Sequence, residues 1–311
     1  MESPKHKPIC VVGSIVYDLV MTLRHLPVIG ETVTGNGFAR FIGGKGLNQA
    51  VQIHRLDAPV TCWGRVGDDH YGREVIDVLR KEEFPTEGIR VIPGEHTAIG
   101  MIFVAPDGRN LIGGYHAANM NFSVDEIDDN VRDAINESSI VSVQLEIPQD
   151  VNETVLRLAR KAGVPTILNA APWRDLGDRF RDLVDYWVVN EVEAGQFFAC
   201  SIGSADDCRP LTRHKPVIDG TQVWIVTLGD RGAAVIDSDG IHPIPGIRVN
   251  AVDSTGAGDS FTGAFAVGIA EGLNPIEAGH FANRVAAQSV TKLGGMTGLP
   301  RRSELVVQAE A

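Results

Sequence analysis

The sequence predicts an α/β protein whose central sheet is largely parallel. Two observations carry that expectation: apolar runs of strand length alternate with amphipathic helical stretches for most of the chain, and glycine-rich turns open two of the helices. A third sets the scale. The chain has 311 residues, 43% hydrophobic, 6% aromatic and 22% charged, enough to bury one large core with at most a small appendage.

Taken in order, the apolar runs at 9–12, 60–63, 140–145, 166–169, 186–189 and 223–228 are expected strands. Helical spacing of apolar residues falls at 47–56, 71–83, 151–162, 259–271 and 276–292. A parallel sheet covered by helices places ligands beyond the carboxyl ends of its strands, so chemistry is expected just after each strand. Two stretches break this rhythm. Residues 18–41 read as extended and glycine-rich, and 99–112 as a hairpin around Pro106-Asp107-Gly108. In that hairpin Ile99, Met101 and Phe103 fall on one face and Ile102 and Val104 on the other, so both faces need cover. The chain thus reads as one domain over 1–311 carrying a small β-sheet lid, about 18–41 and 97–114, that also serves as a homodimer contact. The least patterned stretch, 201–216, reads as a surface connection.

Charge excludes some partners. A formal charge of -12 and a pI near 5.2 leave no broad basic surface for nucleic acid. Cys10, Cys62, Cys200 and Cys208 form no C-x-x-C pair, and His54, His70, His96 and His116 have no metal-ligand spacing. Free thiols, with a polar start and no long apolar run, point to a cytoplasmic protein without a membrane span.

The strongest chemical signal is Asp253-Ser254-Thr255-Gly256-Ala257-Gly258-Asp259-Ser260-Phe261, which opens a helix with apolar residues at helical spacing. Converging backbone amides there make an anion hole, and Asp259 in the first turn stands beside the anion, placed to take a proton from an attacking hydroxyl. The same residues also describe a plain turn with a first-turn acid favoured by the helix dipole. The second signal, Gly43-Gly44-Lys45-Gly46-Leu47-Asn48-Gln49-Ala50, is not a Walker A loop, because Gly46 stands where Ser or Thr would hold Mg²⁺. Lys45 and Asn48 are directional donors suited to a polyhydroxylated ligand, and Gly44 allows close backbone approach; a solvated lysine at a helix start fits equally well.

Asp18 and Glu146 each follow a strand, where an acid can take paired hydrogen bonds from vicinal hydroxyls or simply cap a helix. Asn190 and Glu193 lie one helical turn apart, a spacing that presents both to one metal–water cluster and equally forms a capping box. Asp68 and Asp69 read as cap and structural acids, and Trp173 as a core aromatic.

These motifs, in this order, resemble the ribokinase-like carbohydrate kinases, the PfkB family. The resemblance runs nearly end to end: Gly13-Ser14-Ile15 with Asp18, PVIGETV at 27–33, the run from Gly43, Gly67-Asp68-Asp69, Gln144-Leu145-Glu146, Asn169-Ala170-Ala171-Pro172, Asn190-Glu191-Val192-Glu193, Val226-Thr227-Leu228-Gly229 and the segment from Asp253. It implies a three-layer α/β/α sandwich with a β-sheet lid, ATP as phosphoryl donor, Mg²⁺ and activation by K⁺. Asp18, Gly44, Lys45, Asn48 and Glu146 would hold the sugar, Asp259 would be the base, and Gly256, Ala257 and Gly258 the anion hole. Asn190 and Glu193 would lie near Mg²⁺ and the phosphates, and Thr227, Gly229, Gly232, Gly258 and Asn283 at the nucleotide. Asp253 and Thr255, with backbone of Ser289, Lys292 and Gly294, match the monovalent-cation loop, although Gly298 stands where a serine is expected.

One departure concerns the substrate. Members acting on ribose usually read G-S-I-N-x-D, and this chain has Val16 at the Asn position. Valine makes none of the hydrogen bonds asparagine makes, so one sugar hydroxyl is left unpaired or a substrate without it is favoured. Ribose is the first substrate to expect; a nucleoside, fructose, deoxyribose, or a role as a non-catalytic sugar or nucleotide sensor are the alternatives. A dinucleotide oxidoreductase fails for want of G-x-G-x-x-G after the first strand.

Overall fold

The computed structural model describes residues 7–305. From the N-terminus the chain forms β1 (Ile9–Val12), β2 (Val16–Thr22), β3 (Gly37–Gly43), α1 (Lys45–Arg55), β4 (Val60–Gly67), α2 (His70–Lys81) and β5 (Ile89–Ile92). Next come β6 (Ala98–Val104), β7 (Asn110–Tyr115), α3 (Ala117–Met120), α4 (Asp129–Glu137), β8 (Ile140–Gln144), α5 (Gln149–Ala162) and β9 (Thr166–Asn169). The remainder supplies β10 (Tyr186–Asn190), α6 (Glu191–Phe198), α7 (Lys215–Ile218), β11 (Val223–Thr227), β12 (Gly232–Asp237), β13 (Gly240–Pro245), α8 (Ala257–Ala270), α9 (Pro275–Ser289) and α10 (Gly295–Gly298).

Nine strands form the main sheet in the order β13-β12-β11-β10-β9-β8-β1-β4-β5. It is parallel from β5 to β11, and the β12–β13 edge is antiparallel. Strand alternation splits the core into two layers. Ile9 and Val11 turn toward the layer built with α1, α8 and α9, where Leu47, Phe261, Phe265 and Val285 are buried. Cys10 and Val12 turn to the other layer, with Val131 and Ile135 of α4 and Val155 and Leu156 of α5. Each such fully buried apolar side chain stabilises the fold by roughly 1.5–3 kcal/mol relative to its exposed state. The result is the expected three-layer sandwich.

A separate four-stranded sheet, β3-β2-β6-β7, accounts for the two stretches that broke the rhythm. The hairpin turn falls where Pro106-Asp107-Gly108 placed it: Gly108 takes a φ of 83, and the Ala105 amide donates to the Arg109 carbonyl at 2.9 Å. In register, Val16 pairs with Gly43 and Ala98, and Asp18 pairs with Gly100, so Val16 and Asp18 share one face. The opposite face leaves Phe38 62%, Met101 52%, Leu111 50% and Tyr115 60% exposed.

Some elements differ from expectation. The β12–β13 edge lacks an alternating signature because Pro243 and Pro245 interrupt it, which an edge strand tolerates. The 201–216 stretch is more than a surface connection: its short 3-10 turns place Cys208 and Leu211 wholly inside the core. All four cysteines are free, and three of them are buried.

Candidate functional site

Two helix starts meet above the carboxyl ends of β1, β8 and β9. Helix α1 docks through its glycines: Gly44 has a φ of 92, and a Cβ there would lie 2.9 Å from the Ile15 Cα. A Cβ at Gly46 would lie 2.6 Å from the Gly13 carbonyl carbon. Both glycines are therefore required by the chain's own close approach, a reason the sequence did not reveal.

Helix α8 begins after Gly256, which takes a φ of 78 and allows the turn. Gly258 differs: apart from its own helix turn, a Cβ there would meet no atom of the described residues within 4 Å. The protein itself does not need a glycine at 258, so the space in front of it is free for a ligand. Asp259, in the same turn, is buried, with 5% of its surface exposed. The Asn48 Nδ2 donates to its Oδ2 at 2.9 Å and the Gln49 Nε2 to its Oδ1 at 3.4 Å. Burial is the dominant influence and raises the Asp259 pKa above the ordinary carboxyl range; Lys45, Asn48 and Gln49 pull it down, and Glu146 adds to the rise. A buried, oriented, basic carboxylate is what proton abstraction requires.

Asp259 does not stand alone. Glu146, just past β8, accepts from the Ser14 hydroxyl at 2.5 Å and from the Lys45 amide at 3.0 Å. Burial opposes the charge on Lys45, but the carboxylates of Asp259, Glu146 and Glu193 outweigh it and hold the ammonium above its usual pKa. Asp18 accepts no hydrogen bond from any described residue; burial, then repulsion from Glu146, pushes its carboxyl up to about 6. Asn48 is 6% exposed, and its Oδ1 has no hydrogen-bond partner among the described residues. An orphan acceptor this deep costs about 1–3 kcal/mol unless a ligand supplies a donor.

The remaining expected residues divide. Asn190 caps α6, its Oδ1 accepting from the Val192 and Glu193 amides, while Glu193 accepts from the Asn190 amide, so the capping box is formed. Glu193 is 9% exposed, and burial raises its pKa against the opposing pull of the Asn190 amide and Lys45. A cleft of about 1290 Å³ opens beside α8, lined by Gly229, Ala257, Asn283 and residues 247–252. Asn283 donates to the Pro245 carbonyl at 2.9 Å. Thr227 sits at the end of β11, its hydroxyl donating to the Val189 carbonyl at 3.4 Å. Gly232 has a packing explanation instead: a Cβ there would lie 2.1 Å from the Ile244 carbonyl oxygen. Asp253 accepts from the Thr255 amide and hydroxyl and from the Gly294 amide, and these bonds outweigh burial to lower its pKa. Its own amide and that of Val252 donate to the Val290 carbonyl, joining this loop to the segment that carries Ser289, Lys292 and Gly294.

Sequence reasoning passed over Ser14, Gln49, Gln144 and Asn169 as individual residues, although each stands in a motif it singled out. Buried neutral amides and hydroxyls carry no charge or spacing signal. Asp69, read as a cap, does cap α2, accepting from the Gly72 amide at 2.8 Å. Trp173 packs edge-on to Phe197 at 5.4 Å.

Residues 6–302 match the pfkB family of carbohydrate kinases. Ribokinase of Bacillus subtilis is 36% identical over 302 residues, covering 96% of this chain and 97% of its own. Deoxyribokinase of Salmonella typhi is 31% identical over 293 residues, covering 94% and 95%. The structure of Arabidopsis thaliana ribokinase complexed with ribose and ATP superposes with a TM-score of 0.89 at 29% identity, covering 96% of this chain and 97% of that one.

Proposed function

The chain belongs to the pfkB family of carbohydrate kinases, and from that premise we propose that it transfers the γ-phosphoryl group of ATP to a primary hydroxyl of ribose. The observation that carries the reading is the pairing of Asp259, buried and held by two amides, with the unfilled space at Gly258 in the same helical turn. The sugar lies between Asp18, Gly44, Lys45, Asn48 and Glu146, where the orphan Asn48 Oδ1 accepts from a hydroxyl. Asp259 orients the attacking hydroxyl and takes its proton. The amides of Gly256, Ala257 and Gly258, at a helix terminus worth about 0.3–2 kcal/mol to an anion, receive the charge on the transferring group. The nucleotide occupies the cleft lined by Gly229 and Asn283, with Thr227 close by at the end of β11. The four-stranded sheet acts as a lid that excludes water, the competing nucleophile.

Asn190 and Glu193 stand near Mg²⁺. The Asn190 Oδ1 is committed to its cap, and among the described residues no three acids, cysteines or histidines group to cage a metal, which fits an ion carried on nucleotide phosphates and their waters. When bound, Mg²⁺ neutralises phosphate charge. K⁺ fits the joined loops of Asp253, Thr255, Ser289, Lys292 and Gly294, already assembled by hydrogen bonds. The lid face with Phe38, Met101, Leu111 and Tyr115 meets a second copy of this chain, so sedimentation at micromolar concentration is expected to give a dimer. Four free thiols support a reducing cytoplasm, and no helix among the described residues is long and apolar enough to cross a membrane.

Deoxyribose is the second reading, because Val16 places an apolar side chain on the Asp18 face of the small sheet and a deoxyribokinase is among the relatives. An ADP-release assay over ribose, deoxyribose, fructose and nucleosides, with and without KCl, separates the two. Highest kcat/KM for ribose upholds the first reading, and highest for deoxyribose replaces it.

A further inference from the structure

The Asp259 carboxylate is held from behind by a chain of amides whose direction is set by one backbone carbonyl. The Val188 carbonyl on β10 can only accept, and it takes a hydrogen bond from the Asn169 Nδ2 at 3.1 Å. Asn169 must then present its Oδ1 away from β10, and there it accepts from the Gln49 Nε2 at 3.2 Å. Gln49 therefore aims its amino group, and not its carbonyl, at this side of the site. The second hydrogen of that group is the one that reaches the Asp259 Oδ1 at 3.4 Å. The Gln49 Oε1 is occupied in turn by the Ser142 hydroxyl at 3.0 Å and the Gln144 Nε2 at 2.7 Å, both from β8. Gln49 is wholly buried, so no water competes for these positions.

We propose that Gln49 is a positioning residue for the catalytic base: the Val188–Asn169–Gln49 relay turns a hydrogen-bond donor on the Asp259 carboxylate and fixes its orientation. Resting on the reading of Asp259 as base, this accounts for a buried glutamine placed among sheet residues where an apolar side chain would satisfy packing alone. Without the relay the Gln49 amide can reverse and turn its carbonyl oxygen on a carboxylate, two acceptors facing each other. Asn48 cannot replace it, since its one amino group already serves the other carboxylate oxygen. The charged groups facing Asp259 are Lys45 at the start of α1, Glu146 after β8 and Glu193 on α6. All three are untouched by a change at 49. Because the Gln49 donor favours the ionised carboxylate, its loss moves the Asp259 titration to higher pH.

The test uses the full-length protein and two variants, Gln49→Met, close in length without a donor, and Asn169→Ala, which leaves Gln49 in place but removes the relay that sets the direction of its amide. Two quantities are read: the Asp259 carboxyl ¹³C titration, assigned by difference from Asp259→Asn, and the pH profile of kcat with ATP and ribose. Gln49→Met is expected to titrate at higher pH, with the acid limb of kcat shifted the same way. At its plateau kcat is expected to fall about 10–100-fold while KM for ATP stays within about twofold. Asn169→Ala moves both in the same direction by less, and it decides the matter if Gln49→Met does not fold. An unmoved carboxyl titration in the folded variants overturns the relay, whatever the rates. If the titration moves but wild type phosphorylates no alcohol, the relay stands and the kinase reading fails.

Discussion

The two sides of the site are built differently. On the proposed sugar side, Glu146 is held by the Ser14 hydroxyl and the Lys45 amide, and Asp259 by the side chains of Asn48 and Gln49. On the proposed nucleotide side, a cleft of about 1290 Å³ is lined by a mixture that includes Asp230, Arg248, Val252, Asn283 and Gln288, with Val252 61% exposed. One half is a fixed set of charges and amides, and the other an open groove. Selectivity follows from that contrast: a buried, hydrogen-bonded pocket rejects a wrong hydroxyl pattern because its groups would be left unpaired, whereas an open groove leaves a mismatched group in contact with water at little cost.

Substitutions on the two sides should therefore differ in kind as well as size. Asp259→Asn should lower kcat by about 10²–10⁴-fold while nucleotide binding, measured by calorimetry, is retained. Near-normal turnover in that variant removes the base assignment. Gly258→Ala adds a methyl where, outside its own helix turn, no atom of the described residues stands within 4 Å. Its melting temperature should hold or rise, since alanine is favoured over glycine in a helix by ~0.5–1 kcal/mol, yet kcat should fall about 100-fold as the phosphoryl group is displaced. A loss of stability there would mean that the space is not reserved for ligand.

Asp18 joins pH to both stability and binding. Its carboxyl titrates at about 6 when folded against 3.8 ordinarily, so the native state holds the proton more tightly. Ionisation thus destabilises the fold: the penalty is absent below pH 3.8, grows with pH and is complete above 6. Asp18→Asn should be more stable than wild type by about 1–2 kcal/mol at pH 8 and no more stable at pH 3.5. The same variant should lose about 10–100-fold in kcat/KM for sugar, and wild-type kcat/KM for sugar should fall as pH drops below 6. Asn283→Ala, on the open side, should raise KM for ATP only about 2–10-fold and leave sugar kinetics unchanged. A larger effect at Asn283 than at Asp18 would invert the comparison.

Much of this was legible in the sequence. Strands such as Ile9–Val12 and Thr166–Asn169 were recovered to the residue, because short β-branched runs bounded by turns have few other conformations. Asp259, Lys45 and Asn48 stood out because they follow glycines at helix starts. What stayed hidden needed tertiary contact. Gly44 is held by Ile15 and Val16, and nothing local shows that. Gln49 looks like a neutral helix residue until Asn169 and Asp259, more than a hundred residues away, converge on it. The β12–β13 edge was missed because its prolines suppress the strand signal.

The central claim is transfer of a phosphoryl group to a sugar hydroxyl in a site that excludes water. Phosphorus NMR of the wild-type protein with ATP, Mg²⁺ and ribose tests it most directly. A sugar phosphomonoester resonance is expected to grow in step with ADP, with little ADP or free phosphate when the sugar is omitted. ADP appearing with inorganic phosphate at the same rate with or without ribose would contradict it.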